Sequence, residues 1–356
     1  MMMRRNKVII NVLSLATALG IIIGLAGTKE ESRNNKIGHC FDVAYDPVQN
    51  RLFAVAGYQG MHVFNVSDGN LSFVTTVYDE GYYRNLKISG NRAFIADTSR
   101  GFIIYNISKQ VPVMSWKWKE AETKTRGFGI HVEGNLAYLA QGMVDKNDIK
   151  LGRAGLYIFD ISAPDSPKLI GRCKTENAWD VWVCGKYAYV ADFHGGLCVI
   201  DISSASEPRE IARVKWQRKY PGAEIVRGER KFAYVAAGRR GLIVVDVSNP
   251  LQPKVVGKYK SGRTGFAEGL CVKDKLVYLA NGNEKKSDEN GLLIIDTHNT
   301  SSPEVRGKCT FPGWVEGVCL GGNHIFIANW DSGVRSIDVS NPENPRLKDH
   351  FGPIIK

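Results

Sequence analysis

The stretch Tyr234-Val235-Ala236, followed after a short break by Gly241-Leu242-Ile243-Val244-Val245-Asp246-Val247-Ser248-Asn249-Pro250, decides the fold. Tyr and Val favour a pleated, packed strand, and Gly lets the chain turn between two such runs. The second run is continuously apolar instead of alternating, which marks a strand covered on both faces. Its terminal Asp, followed by Ser and Pro, starts a turn that the carboxylate can cap. Pro253-Lys254-Val255-Val256-Gly257 comes next as another short strand. In the preceding copy, Val181-Trp182-Val183, closed by Gly185, stands ahead of the aromatic phrase. One unit therefore reads as four short strands joined by turns.

The unit recurs along the body. Its aromatic phrase stands at Phe53-Ala54-Val55-Ala56, Phe94-Ile95-Ala96, Tyr138-Leu139-Ala140, Tyr189-Val190-Ala191, Tyr234-Val235-Ala236, Tyr278-Leu279-Ala280 and Phe326-Ile327-Ala328, seven copies spaced by 40 to 51 residues. A four-stranded repeat of this length is a propeller blade. A lone four-stranded meander exposes both faces, and radial stacking buries both. A β-helix has shorter coils, and two sandwiches do not repeat seven times. The expected fold class is all-β, a seven-bladed β-propeller of four-stranded antiparallel blades over residues 39–356. Arg346 to Ile355, or Asn35 to Val43, is expected to close the ring by completing a blade. The small Ala and Gly suit a crowded centre, and the aromatic two places before the Ala should fill the space between blades.

The phrase Gly-Leu-x-Val-Val/Ile-Asp-Val/Ile-Ser-x-Pro, preceded by Ala-Tyr-Val-Ala, resembles the LVIVD-repeat family of exported and cell-surface proteins. The resemblance covers residues from about 39 to 348. It is closest at Leu242 to Asp246 and Leu292 to Asp296, and weakest in the first two copies, where Asn65 and Asn106 replace the Asp. It implies a β-propeller and brings no catalytic motif with it.

Ahead of the repeats, residues 1–27 have the layout of a targeting segment: Arg4, Arg5 and Lys7, then an apolar run from Val8 to Ala26. Gly24-Leu25-Ala26 offers a small-x-small cleavage site, which makes the segment a signal peptide. Left uncut, roughly 19 apolar residues suffice for an N-terminal membrane anchor, a transmembrane helix tethering the body. Residues 28–38 read as a linker. The basic flank precedes the apolar run, so the body is expected outside the cytoplasm, secreted or at the cell surface. No Cys stands just after the run, against lipid attachment. The net charge is +11, three positive charges of which belong to the leader. The remainder is dispersed without Lys/Arg blocks and interleaved aromatics, so no specific nucleic-acid partner is expected. Seven Cys form no CxxC pair and mostly sit in apolar strand runs as small hydrophobes. One or two disulfides are compatible with export. Four sequons, at Asn65, Asn70, Asn106 and Asn299, permit glycosylation.

In a blade whose first strand is innermost, the start of strand one and the end of strand two share one face. The longer loops fall there: Trp116 to Thr125, Gly142 to Ala154, Trp216 to Pro221 and Gly282 to Asn290. Loops on a rigid scaffold carry function. On the same face, Glu224, Glu268 and Glu316 each stand twelve positions before the repeat Ala, with Asp180 and Asn85 one position off. Converging carboxylates could hold a cation or polyol, or serve as acid and base. Equally, each could accept hydrogen bonds from a neighbouring blade. Trp179 and Trp314, with Trp330, Trp116 and Trp216, add aromatic surface suited to sugar or peptide, part of it blade packing.

Asp97, Gln141, Asp192, Asn281 and Asn329 follow the repeat Ala and read as Asx-turn starters. The seven His show no metal-binding spacing, Asp145 to Asp148 lacks the ligand pattern of a calcium loop, and no nucleophile elbow or phosphate loop occurs. The expected function is a non-enzymatic, extracytoplasmic binding scaffold for an extracellular protein or polysaccharide. Glu224, Glu268, Glu316, Asp180, Asn85, Trp179 and Trp314 are the candidate ligand-binding residues at the propeller mouth. The alternative is a divalent-cation-dependent hydrolase or lyase using the mouth carboxylates. No cofactor is expected, Ca2+ being the one ion the carboxylates could take, and no catalytic residue is assigned.

Overall fold

The computed structural model describes residues 38–118, 126–143, 153–216, 222–262, 264–283 and 289–353. They form seven four-stranded antiparallel sheets and contain no α-helix. The sheets are consecutive in sequence, occupying residues 42–77, 83–117, 126–174, 180–214, 225–259, 265–310 and 318–351 as blades one to seven. In every blade the strand order follows the chain. The first strands of successive blades pack side by side in a closed circle, in which Asp42–Asp46 of blade one meets Val318–Gly321 of blade seven.

The ring closes without an exchanged strand. Arg346–Phe351 is the outermost strand of blade seven, and Asp42–Asp46 is the innermost of blade one. Each terminus thus completes its own blade. At the centre the join is one backbone bridge, in which the Cys40 amide donates to the Trp330 carbonyl at 3.1 Å. At the rim, the Leu71 amide donates to Asp349 at 2.7 Å, and Phe73 stacks on Phe351 with centroids 5.2 Å apart.

The buried apolar residues divide into seven clusters, one at each interface between blades. Tyr138 and Leu156 of blade three, for example, pack with Val181 and Val190 of blade four. The aromatic of each repeat phrase is buried, from Phe53 to Phe326. This accounts for the continuously apolar third strands, whose two faces lie against two different blades. The acid or amide ending those strands caps the following turn: Asn106, Asp160, Asp201, Asp246, Asp296 and Asp338 each accept from the amide two residues on, at 2.8–3.0 Å.

Every outer strand carries a β-bulge. In three of them the residue at the bulge is a Gly that slides beneath the next blade's turn. A Cβ on Gly171, Gly257 or Gly307 would lie 1.9, 1.7 or 2.1 Å from the carbonyl oxygen of Ala205, Thr300 or Pro342 respectively.

All seven Cys are unpaired. The expected leader and nearly all of the linker lie outside the described residues, as does most of each of the four long loops. Among the described residues no helix is long and apolar enough to cross a membrane.

Candidate functional site

The inner strands start at the face where the second strands end, as the antiparallel pairing requires. Two neighbouring positions near this start behave differently. The first is opposite the repeat Ala, or opposite Val55 in blade one, and holds Asp42, Asn85, Gly129, Asp180 and Ile225 in blades one to five. Here short polar side chains clip one blade to the next. Asp42 accepts from the Asn85 side-chain amide at 2.6 Å and the Leu86 backbone amide at 3.2 Å. Asn85 in turn accepts from the Ile130 amide at 3.1 Å. Asp180 accepts from the Val226 amide at 3.0 Å and pairs with Arg227. Where Gly replaces the clip, the blades touch directly: a Cβ on Gly269 would lie 1.9 Å from the Glu316 carbonyl oxygen.

One residue earlier, the seven blades contribute Phe41, Arg84, Phe128, Trp179, Glu224, Glu268 and Glu316. Together these seven surround a cavity of about 40 Å³ where the inner strands converge. That volume holds about three waters, since a water requires roughly 10–15 Å³ on this measure. Each of the three Glu is at least nine-tenths buried. Glu316 accepts from Arg84 at 2.9 Å, and Glu268 accepts from the Trp314 indole N–H at 3.0 Å. Among the described residues Glu224 has no hydrogen-bond donor; its carboxyl lies within hydrogen-bonding reach of the Glu268 carboxyl.

Two carboxyls in that arrangement cannot both be ionised without a compensating cation, so the pair holds at least one proton. Burial pushes Glu224 up to about 8, and burial also pushes Glu316 up to about 8 against the pull of Arg84. Glu268 is raised well above the usual carboxylate range by burial and then by Glu224. Burial opposes the charge on Arg84, but Glu316, Tyr82, Glu268 and Glu224 outweigh it and hold the guanidinium firmly protonated. Further down the axis the sign reverses. His131 is lowered to about 3 by burial and by Arg227 and Lys87, so its ring is neutral.

The aromatic wall presents edges. Trp179 is sandwiched between Phe128, at 5.0 Å and 6°, and Phe193, at 4.4 Å and 11°. The Arg84 guanidinium covers the Phe41 ring at 4.6 Å.

The LVIVD repeat model matches residues 80–111, 128–175, 177–215, 226–261, 264–310 and 312–351. The chain belongs to the LVIVD-repeat family. The matches cover blades two to seven; blade one, whose strand-ending acid is Asn65 and whose repeat Ala is Val55, lies outside them, a narrower span than the sequence resemblance. A search of curated proteins matches none. Among solved structures, the chain is similar to the computationally designed Ika8 protein, at 12% identity over 91% of this chain and 90% of that one, with a TM-score of 0.61. It is also similar to Saccharomyces cerevisiae Sqt1, at 10% identity over 90% and 87%, TM-score 0.62. The RRP9 WD40 repeats match at 8% identity over 85% and 90%, TM-score 0.65. At these identities the likeness is one of fold.

Of the seven candidate residues, the LVIVD propeller brings Glu224, Glu268, Glu316 and Trp179 to the cavity wall. Asn85 borders it with both polar atoms committed to the neighbouring blades, and Asp180 is turned to blade five. Trp314 stands behind Glu268 and positions it. Two aromatics assigned to the mouth-side loops belong elsewhere. Trp116 is in the outer strand of blade two, packed against Phe102 and Phe159, and Trp216 packs into the cluster between blades four and five.

Of the residues after the repeat Ala, Asp97 both starts a turn and fastens the lead-in to its blade, accepting from Ser99 and Tyr82 amides. Asp192 fastens the lead-in, through the Glu176 and Asn177 amides, and pairs with Arg213. Arg84, Asp42 and Phe41 were missed by the sequence reading. Arg84, like Phe128 and Trp179, stands twelve positions before its repeat Ala, so the same count that finds the Glu column also finds Arg84.

Proposed function

We propose that this LVIVD propeller is an extracytoplasmic, non-enzymatic binding scaffold that engages a protein or polysaccharide at its axial mouth. The observation that carries the reading is the convergence of Glu224, Glu268 and Glu316 with Arg84 around one cavity on the axis. Buried charge of this kind is expensive and contributes little to stability compared with apolar packing. The seven blade interfaces already have an apolar core, so the charged ring is best explained by recognition. The sequence of the leader argues for export. With room for about three waters, the cavity takes the tip of a ligand while the surrounding face carries the rest.

The test is binding of the full-length protein, by surface plasmon resonance, to purified cell-wall polysaccharide and to solubilised envelope proteins of the producing cell. Binding that falls at least tenfold in a Glu268→Gln/Glu316→Gln variant with an unchanged melting temperature supports the reading. Binding that is absent for the wild type, or equal in the variant, overturns it. Mass spectrometry of the native N-terminus tests export and distinguishes a cleaved leader from a membrane anchor.

A second reading, a divalent-cation-dependent hydrolase or lyase, is favoured by one feature, the proton-sharing pair Glu224 and Glu268, since paired carboxyls serve acid–base chemistry. Against it, among the described residues no group of three or more His, Cys, Asp or Glu is arranged to hold a metal ion, and Arg84 occupies the same cavity. Calcium-dependent thermal stabilisation that disappears in Glu268→Gln supports the cation; its absence in the wild type removes it.

A further inference from the structure

The binding reading leaves the chemistry of the ligand open, and the cavity narrows it. Glu224 is 3% exposed and, among the described residues, receives no hydrogen bond from an N–H or O–H donor. A buried carboxyl without a donor is destabilising. Its hydrogen-bonding neighbour, Glu268, is another acceptor, so the two oxygens are reconciled by a proton between them. That proton occupies the place of a missing cationic donor.

The donor's identity follows from what else faces this pair. From blade seven, Glu316 is neutralised by Arg84 of blade two, and it feels His39 and Asp42 from blade one. Tyr82 stands behind Arg84. Blades three and four line the cavity with Phe128 and Trp179, and Arg126 of blade three acts on Tyr82. From blade five, Arg227 is held by Asp180. Once it gives up one proton, the Glu224–Glu268 pair carries one negative charge that no neighbouring cation pairs with directly.

A quaternary ammonium fits poorly, because it binds to ring faces. Both faces of Trp179 are covered by Phe128 and Phe193, and that of Phe41 by Arg84. Ring edges carry the positive end of the quadrupole and repel a bare cation. A calcium ion takes six to eight oxygens; with one oxygen of Glu316 on Arg84 and one of Glu268 on Trp314, the three Glu leave four. A primary ammonium is compact, carries one positive charge and has three N–H donors. It can satisfy Glu224 and Glu268 together with a spare oxygen of Glu316, its stem lying along the ring edges.

We propose that the axial mouth binds a primary ammonium group on a slender stem, and that the ammonium takes the place of the proton held between Glu224 and Glu268. This rests on the binding-scaffold reading above. The exchange balances in charge: one monovalent cation enters and one proton leaves to the buffer. Because Glu224 is pushed up to about 8, protons compete below that pH, and affinity should fall by up to tenfold per pH unit as the solution is acidified.

The experiment is isothermal titration of the full-length protein with n-propylammonium chloride at pH 6, 7 and 8, in two buffers of different ionisation enthalpy at each pH. The expected result is saturable binding that strengthens with pH and releases close to one proton per ligand at pH 7. Glu224→Gln, which keeps shape and removes charge, should bind at least tenfold more weakly with no proton release, its melting temperature attesting the fold. Glucosamine and Nα-acetyl-lysine amide, titrated in parallel, distinguish an amino sugar from a protein side chain as the natural source. Tetramethylammonium or calcium binding in place of propylammonium overturns the inference, as does propylammonium binding that is independent of pH or unchanged in Glu224→Gln. If propylammonium fails while Glu268→Gln/Glu316→Gln still abolishes binding to envelope polysaccharide or protein, the ammonium inference falls and the scaffold reading stands.

Discussion

Asp180 and Glu224 start the inner strands of adjacent blades and serve opposite ends. Asp180 faces its neighbour opposite the repeat Ala and is consumed in holding Val226 and Arg227. Glu224 stands one residue earlier and faces the axis. Side chains on a strand alternate, so a one-residue difference in register moves a carboxylate from the blade seam to the mouth. The count from the repeat Ala, eleven against twelve, contained this distinction, and grouping Asp180 and Asn85 with the three Glu overlooked it. Asp42 was hidden for another reason: the first hairpin of blade one is two residues longer, so Asp42 stands thirteen positions before its partner Val55 instead of eleven.

Truncating Asp180 strands the mostly buried Arg227 and frees a backbone amide. Asp180→Ala is therefore expected to lose about 3–5 kcal/mol in chemical denaturation, and a loss below 1 kcal/mol contradicts the clip. The three Glu predict a pH dependence of the opposite sense to ordinary ion-paired carboxylates. Glu224 and Glu316 rise from the usual 4.5 to about 8 on folding. The native state thus favours the neutral acid, a stabilisation fully present below pH 4.5 and lost as pH rises through 8. The melting temperature should fall between pH 6 and 9, and Glu224→Gln should flatten that fall; a wild type whose melting point is level or rises across the window refutes the assignment.

The elements show which features survive in a single sequence. Third strands were legible because burial on both faces leaves an unbroken apolar run, and their ends because an Asx cap needs a local Asp-x-Ser signal. Outer strands were legible as strands but not as locks. Their bulges arise from the approach of the next blade's turn, a contact some 30 to 45 residues away in sequence that no local pattern records. The Gly at the bulge is the trace it leaves. Gly257→Ala places a Cβ 1.7 Å from the Thr300 carbonyl oxygen and should cost about 1–3 kcal/mol through forced displacement of the turn. Hydrogen exchange should then rise in the turn around Thr300. Exchange altered only within blade five would show that the lock between blades does not exist.

For the whole molecule, the repeat count predicted the ring, because only circular stacking covers both faces of every blade. The manner of closure was not legible: nothing in a sequence distinguishes a strand borrowed across the seam from two complete blades meeting. The structure joins them through Cys40, Trp330, Asp349 and the Phe73–Phe351 stack. Phe351→Ala, at the rim of the seam, should therefore lower stability by about 2–4 kcal/mol, somewhat less than a fully buried aromatic, without changing the far-UV spectrum of the blades.

Closure is also what creates the mouth, by bringing Arg84, Glu224, Glu268 and Glu316 from four blades to one axis. Carbon-13 NMR of the protein labelled at the glutamate carboxyls measures that convergence directly. The account predicts that Glu224 and Glu316 titrate near 8 and Glu268 well above the usual carboxylate range. One of these should disappear in each of Glu224→Gln, Glu268→Gln and Glu316→Gln, with the Glu268 resonance shifting when Glu224 is replaced. Titration of every glutamate below pH 6 would contradict it.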